Sequence, residues 1–185
     1  MTLRFISDAL KYCVFVTVIY AVLRWLWVKK KDAQIDWRRE ILLLLFVEYM
    51  TVIVSQTIIP RWIFVSGKMF FYEIGEKLPT NLVPFKSISK FIMGFGLFDE
   101  VTVINILANI LIFVPFGLFL PLLWRNLRSL WKTLAIGTIM IITIETIQYF
   151  IGRTADIDDY ILNILGVAAG YGLWKLWIKQ RKSQG

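Results

Sequence analysis

The stretch VTVINILANILIFVPFGLFLPLLW, residues 101–124, decides the fold class of this chain. Its 24 residues carry no charged side chain. An α-helix rises about 1.5 Å per residue, so this stretch is long enough to cross the roughly 30 Å hydrocarbon core of a bilayer. Because hydrocarbon offers no partner to unpaired backbone groups, a spanning segment of this kind must be helical. The stretch therefore predicts a transmembrane helix.

Four further stretches resemble it in length and apolar character. They cover residues 12–28, 41–59, 133–152 and 160–178, and each holds a single charged side chain. The composition agrees, because 58% of the 185 residues are apolar, whereas soluble domains have about 45–50%. We predict an all-α, polytopic membrane helix bundle of five transmembrane helices, forming a single domain over residues 1–185.

Cysteine and histidine usage excludes several kinds of chemistry. Cys13 is the only cysteine, so the chain cannot form an internal disulfide. There is no histidine, which excludes Ser-His-Asp and Cys-His catalysis and imidazole metal sites. Any catalysis would depend on carboxylates, arginine, lysine, tyrosine or a hard metal ion.

The net charge of +8 is concentrated in three regions that alternate along the chain. These regions are the connection after the first span (Lys29, Lys30, Lys31, Arg38, Arg39), the connection after the third (Arg125, Arg128, Lys132) and the tail (Lys175, Lys179, Arg181, Lys182). Basic residues in short connections favour the cytoplasmic side. We therefore predict an outside N-terminus, a cytoplasmic C-terminus and no nucleic-acid partner.

The connection over residues 60–100 is too long for a simple linker. Residues 61–75 and 86–98 each interleave aromatic or aliphatic side chains with polar ones. Such patterns are typical of amphipathic helices that lie on a membrane. We predict one or two of these helices in this outer loop, separated by Pro79, Asn81 and Pro84.

Polar side chains in three predicted spans fall at a similar depth, within about 12 Å of one membrane face. They are Asn105, Asn109, Glu145, Gln148 and Asn163. The connection before the fifth span extends this layer with Arg153, Asp156, Asp158 and Asp159. Polar groups inside hydrocarbon are costly, and ionisable ones mark functional sites by default.

Each group also has a structural interpretation. The three aspartates suit either helix capping at the start of the fifth span or a divalent-cation site. The asparagines suit interhelical hydrogen bonds or ligand contact. Glu145 suits a structural pair with Arg153 or Gln148, or a functional role. Gly166, Gly170 and Gly172 indicate close helix packing.

Three motifs together resemble the VanZ-like family of bacterial membrane proteins. The first is NLVPFK at residues 81–86. The second is NILANILIFVPFG at residues 105–117, continuing to Pro121. The third is ETIQ at residues 145–148 followed by GRTADIDD at residues 152–159, with Asn163 and the later glycines. Their order and spacing are similar to those of the family over residues 81–172, which we take as a VanZ-like core.

The resemblance implies a multi-pass protein of the bacterial plasma membrane and cell envelope. The family is named after an accessory resistance protein that lowers sensitivity to teicoplanin, a lipid-tailed glycopeptide antibiotic. The resemblance supplies no catalytic residues and no cofactor.

Two hypotheses from different classes follow. The first is a non-enzymatic protein whose outer polar layer binds a membrane lipid or lipid-linked cell-wall precursor. In this hypothesis the phosphate is bound by Arg153 and Lys86, and hydrogen bonds are donated by Asn105, Asn109 and Gln148. The second is a membrane-embedded enzyme acting on a lipid or its headgroup, with Glu145 as general acid or base and Asp156, Asp158 and Asp159 holding a divalent cation. We favour the first, since no nucleophile motif is present. Small residues in the last span would also permit a homodimer.

Overall fold

The computed structural model describes residues 2–31, 34–57, 62–65, 68–71, 80–86, 88–89, 100–150 and 156–183. Its helices are α1 (Thr2–Lys31), α2 (Trp37–Thr57), α3 (Glu100–Leu123), α4 (Leu130–Phe150) and α5 (Ile157–Ser183). In this part of the chain five helices are long and apolar enough to cross a membrane. The predicted all-α fold with five transmembrane helices is confirmed. Each helix extends beyond the predicted span at one or both ends, because polar residues at the membrane surface can continue a helix.

The chain forms two compact units, Met1–Ile59 and Pro60–Gly185. The first unit contains α1 and α2, which run in opposite directions. The Thr17 hydroxyl donates a 2.7 Å hydrogen bond to Glu48 Oε1 near the middle of α2. Asp36 caps α2, since its Oδ1 accepts the backbone N–H of Arg38 at 3.1 Å and that of Arg39 at 3.4 Å.

Arg24 on α1 and Glu40 on α2 form a bidentate ion pair inside the first unit. Their side chains are 27% and 14% exposed. A charge pair that has lost most of its water depends strongly on its partner. We expect a double-mutant cycle with Arg24→Gln and Glu40→Gln to give a coupling energy of about 1–2 kcal/mol in favour of the pair. Thermal unfolding in detergent micelles measures each variant.

The exposed Arg38 is a control for this cycle, because it carries the same charge as Arg24 and residues two apart on a helix do not face each other. Combining Arg38→Gln with Glu40→Gln should give additive effects. Additive effects for Arg24 and Glu40 as well would mean that the ion pair does not hold the two helices together.

The second unit contains an antiparallel hairpin of β1 (Trp62–Val65) and β2 (Lys68–Phe71), with Trp62 paired to Phe71 and Val65 to Lys68. The predicted amphipathic helix over residues 61–75 is therefore wrong for residues 62–65 and 68–71, and the rest of that range lies outside the described residues. The physical reason is that aromatic and β-branched residues favour strands. Of the second predicted helix, residues 87 and 90–98 lie outside the described residues, while 86, 88 and 89 are helical.

Helix α5 forms the centre of the second unit and packs against both α3 and α4. Ile110 on α3 lies beside Gly166, and Val114 lies beside Gly170, so α3 and α5 run parallel. Helix α4 starts near the end of α3, where the Thr133 hydroxyl donates to the Leu127 carbonyl at 2.7 Å, and it returns in the opposite direction. Buried side chains of this core include Phe113, Phe116, Leu120, Ile141, Ile144, Leu162, Val167 and Trp174.

Three glycines allow α3 and α5 to approach with their backbones almost in contact. A Cβ atom at Gly117 would lie 2.0 Å from the Val167 carbonyl oxygen, and one at Gly166 would lie 2.1 Å from that of Ile110. At Gly170 the distance to the Val114 oxygen would be 2.0 Å. Close packing is thus confirmed for Gly166 and Gly170. The prediction of close packing is wrong for Gly172, where a Cβ would meet nothing within 4 Å.

Candidate functional site

The segment that begins at Asn81 is joined to the start of α5. The Ile157 N–H donates to the Asn81 carbonyl at 3.0 Å, and the Asn81 side-chain amide donates to Asp156 Oδ1 at 2.9 Å. Asn81 and Asp156 also form an isolated parallel β-bridge. We call residues 81–86, 88 and 89 the Asn81 turn. Two of the motifs separated in sequence therefore meet at the amino-terminal end of α5.

Asp158 fixes the Asn81 turn from inside. Its side chain is only 1% exposed. Its Oδ1 accepts the backbone N–H of Phe85 at 2.5 Å, and its Oδ2 accepts that of Ile88 at 3.2 Å. Hydrogen bonds to a charged group contribute about 1.5–3 kcal/mol each, and the helix N-terminus also favours a negative charge. The buried carboxylate therefore stabilises one conformation of the turn.

Asp156 has a capping role. Its Oδ1 accepts the backbone N–H of Asp158 at 2.9 Å, two residues further along the chain, as N-cap residues do. Its carbonyl accepts the N–H groups of Asp159 at 3.1 Å and Tyr160 at 3.4 Å. This is the arrangement that the helix-capping interpretation of the aspartate run predicts.

The Asn81 turn presents apolar side chains next to a positive charge. Leu82, Val83 and Phe85 are 72%, 58% and 58% exposed, and Lys86 is exposed beside them. Phe85 has a φ of 64°, a left-handed conformation that costs a residue of this kind about 1–3 kcal/mol. The hydrogen bond from its N–H to Asp158 helps to hold this strained residue in place.

Asp159 faces α3. Its Oδ1 accepts a 2.5 Å hydrogen bond from the Asn109 side-chain amide. One turn further along α5, Asn163 is 6% exposed, and no described residue forms a hydrogen bond with its buried Oδ1. Tyr160 and Thr138 lie with their hydroxyl oxygens 3.3 Å apart, linking α5 to α4. The amino-terminal part of α5 thus has polar contacts with both neighbouring helices.

The remaining predicted site residues are distributed around the same end of this unit. Glu145 and Gln148 lie half-buried in the last two turns of α4, and Asn105 is exposed in the second turn of α3. Because α3 and α5 start where α4 ends, all three positions lie at the end that carries the Asn81 turn. Arg153 lies outside the described residues.

Within the described part of the chain, the three aspartates have different hydrogen-bond partners. Asp156 contacts Asn81, Asp158 contacts the backbone of the Asn81 turn, and Asp159 contacts Asn109. Among the described residues, no group of three or more Asp, Glu, Cys or His side chains is placed to hold a metal ion. The hypothesis of an enzyme with Glu145 and a divalent cation gains no support from this geometry and stays a prediction.

The sequence interpretation missed the roles of Asn81 and of the backbone N–H groups of Phe85 and Ile88. Asn81 stands out in NLVPFK as a polar residue just before a proline-containing turn. Its partner Asp156 lies 75 positions away. A pattern in one stretch of sequence does not reveal such a distant partner. The NLVPFK motif therefore marks Asn81 as a candidate residue but does not indicate what it contacts.

These features define a class: a polytopic helical membrane protein in which motifs from one loop and three helices meet at one end. The VanZ/LLP1 family model matches residues 40–178, which is most of the chain. The chain belongs to the VanZ/LLP1 family. The match begins within α2 and so extends well beyond the three motifs. No curated protein and no solved structure matches the chain.

Proposed function

We propose that this protein lies in a bacterial plasma membrane, with its N-terminus outside and its C-terminus in the cytoplasm, and binds an anionic amphiphile at the Asn81 turn. The amphiphile is a membrane lipid or a lipid-linked cell-wall precursor. The observation that carries this proposal is the fixed turn with exposed Leu82, Val83 and Phe85 beside Lys86. Such a surface suits a ligand with a hydrocarbon chain and a phosphate.

The neighbouring polar residues suit the headgroup of the same ligand. Lysine and arginine bind phosphate through charge-assisted hydrogen bonds, so Lys86 and Arg153 are the proposed phosphate contacts. Asn105 is exposed at the same end and Gln148 is half-buried there, which suits hydrogen bonds to headgroup oxygens. Glu145, also half-buried, is proposed to orient these groups rather than to touch phosphate, since like charges repel.

Occupation of an outer lipid site could alter how a lipid-tailed glycopeptide reaches its target. We therefore propose that the protein lowers sensitivity to antibiotics of the teicoplanin type. This part of the proposal rests on the family resemblance and on the proposed lipid site together.

Native mass spectrometry of the detergent-purified protein tests the lipid site. We expect Lys86→Gln to reduce adducts of a polyprenyl pyrophosphate about tenfold, the effect of losing roughly 1.4 kcal/mol. Arg153→Ala should act in the same direction. Phosphatidylcholine adducts should change little, because that headgroup has no net charge.

Lys30→Gln is the matched control, because Lys30 is also exposed and its replacement removes the same charge. It should leave the adducts unchanged. Equal losses in the Lys30 and Lys86 variants would attribute the adducts to net charge and contradict the proposed site. The link to the antibiotic is tested in a sensitive host that expresses either the wild type or Arg153→Ala. Equal teicoplanin tolerance of the two strains would contradict that link.

A further inference from the structure

The end of the second unit opposite the Asn81 turn carries a concentrated positive charge. We call residues 124–132 and 174–182 the Arg128 end. It contains seven basic residues and no Asp or Glu. The seven are Arg125, Arg128, Lys132, Lys175, Lys179, Arg181 and Lys182, and all are exposed. Within the described part of the chain, none of them forms an ion pair.

Arg128 is held in a fixed position at this end. Its Nε donates a 3.3 Å hydrogen bond to the Pro121 carbonyl at the end of α3, and its guanidinium lies 5.9 Å from the centre of the Trp174 ring. The Tyr171 hydroxyl donates to the Arg128 carbonyl at 3.0 Å. These contacts bring the α3–α4 connection and α5 together. They reduce the entropy that Arg128 would lose on binding an anion.

Trp174 has an N–H donor without an acceptor among the described residues. Its side chain is 7% exposed, and no described residue accepts a hydrogen bond from its buried Nε1. The guanidinium beside it likewise has no carboxylate partner among the described residues. Donors and positive charge with no acidic partner are typical of a surface that meets an anion.

Exposed tryptophans place this surface at a membrane boundary. Trp131 is 79% exposed and Trp177 is 39% exposed, and the Arg181 guanidinium lies 4.4 Å from the Trp177 ring centre. Tryptophan is enriched at the level of lipid headgroups, where its ring contacts both apolar and polar surroundings. The charges at the ends of α3 and α5 therefore lie at headgroup depth rather than in bulk water.

We propose that the Arg128 end binds the phosphate groups of anionic phospholipids in the leaflet that it faces. Arginine recognises phosphate through paired N–H donors, and basic clusters next to transmembrane helices attract anionic headgroups. This binding site is separate from the amphiphile site at the Asn81 turn, since the two lie at opposite ends of α5. A nucleic acid would also meet the charge, but it would leave Trp131 and Trp177 without an apolar partner.

Lipid preference in native mass spectrometry tests this proposal. The full-length protein is mixed with phosphatidylglycerol and phosphatidylcholine of identical acyl chains. We expect wild type to prefer phosphatidylglycerol by at least about tenfold. In the Arg128→Gln, Lys132→Gln, Arg181→Gln triple variant most of that preference should be lost. Because Arg128 also supports the end of α3, a second triple variant leaves Arg128 in place and replaces Lys132, Lys179 and Arg181 by glutamine.

The charge-matched comparison replaces Lys29, Lys30 and Lys31 on α1 with glutamine. This end also has exposed tryptophans, with Lys29 5.2 Å from the Trp25 ring centre, so the comparison asks whether any basic, tryptophan-flanked helix end gives the preference. This control variant should keep the preference within about twofold of wild type. Equal losses in the control and in both Arg128-end variants would overturn the proposal. The proposal would also be overturned if an oligonucleotide bound the wild type in competition with phosphatidylglycerol and did not bind the Arg128-end variants.

The Lys86→Gln variant separates this inference from the proposed function. It should retain the phosphatidylglycerol preference that the Arg128 end provides. If Lys86→Gln removes all of the preference while the Arg128-end variants leave it intact, the Arg128 end is not a lipid site and the Asn81 turn alone binds lipid.

Discussion

Replacing Gly170 by alanine is expected to destabilise the protein by about 3 kcal/mol or more, because the added methyl group overpacks a backbone contact. The new Cβ would lie 2.0 Å from the Val114 carbonyl oxygen and 2.8 Å from the Leu118 nitrogen. Both are backbone atoms inside α3, so neither can rotate away as a side chain would. Helices α3 and α5 would have to separate, which would weaken the contacts of Phe113, Phe116 and Val167 between them.

Gly172→Ala is the matched control, two residues further along the same helix. Its Cβ would meet nothing within 4 Å. Alanine favours a helix over glycine by up to about 1 kcal/mol, so this variant should be as stable as wild type or slightly more stable. Thermal unfolding in detergent, followed by tryptophan fluorescence, compares the two variants. Equal stability of both would show that α3 and α5 do not pack backbone to backbone.

The transmembrane helices could be predicted from the sequence because bilayer thickness sets a length that any spanning segment must reach. Residues 101–124 were predicted as a span, and α3 is Glu100–Leu123. Pro115 and Pro121 lie inside it without ending it. The close approach of α5 could also be predicted from Gly166 and Gly170, since four-residue spacing of small residues is a known packing pattern.

The small-residue pattern did not discriminate Gly172 from its neighbours. Helical position decides which glycines face a partner, and the direction of that partner is a property of the three-dimensional packing. Gly117 shows the same limitation, because it lies in a predicted motif but its contact with Val167 depends on how α3 and α5 cross.

The connection over residues 60–100 was predicted least well. The alternating polar and aromatic residues around 62–71 are compatible with either a helix on a membrane or the strands of a hairpin. In the structure the strands of a hairpin form. The Asn81 turn depends on partners 70 to 75 positions away in sequence. Hydrogen-bond partners at such separations are set by the fold of α5 against α3, so the pattern around Asn81 does not specify them.

The aspartate run illustrates how burial distinguishes residues of one type. The sequence placed Asp156, Asp158 and Asp159 together as candidates for one site. Of the three, only Asp158 is fully buried, and its oxygens accept backbone N–H groups of the Asn81 turn. The three carboxylates therefore have three different roles, although they lie within four consecutive residues.

Replacing Asp158 by asparagine is expected to release the Asn81 turn and to destabilise the protein by about 2–4 kcal/mol. The amide retains one oxygen acceptor but turns an NH2 donor toward a second backbone N–H, either that of Phe85 or that of Ile88. One of these buried donors then loses its acceptor. The strained φ of Phe85 also loses part of the contact that maintains it. Hydrogen exchange should become much faster at the amides of Phe85 and Ile88, while the amides in the middle of α5 should stay protected.

Asp36→Asn is the control for this effect. Asp36 Oδ1 also accepts two backbone N–H groups, those of Arg38 and Arg39, but the residue is exposed. Water can replace its lost interactions, and asparagine is itself a good N-cap, so the change should be within about 0.5 kcal/mol. If the two variants have equal stability and unchanged exchange at Phe85, the Asn81 turn is held by something other than Asp158. If Asp158→Asn frees the turn and also removes the polyprenyl pyrophosphate adduct, then the conformation of the turn, and not Lys86 alone, determines ligand binding.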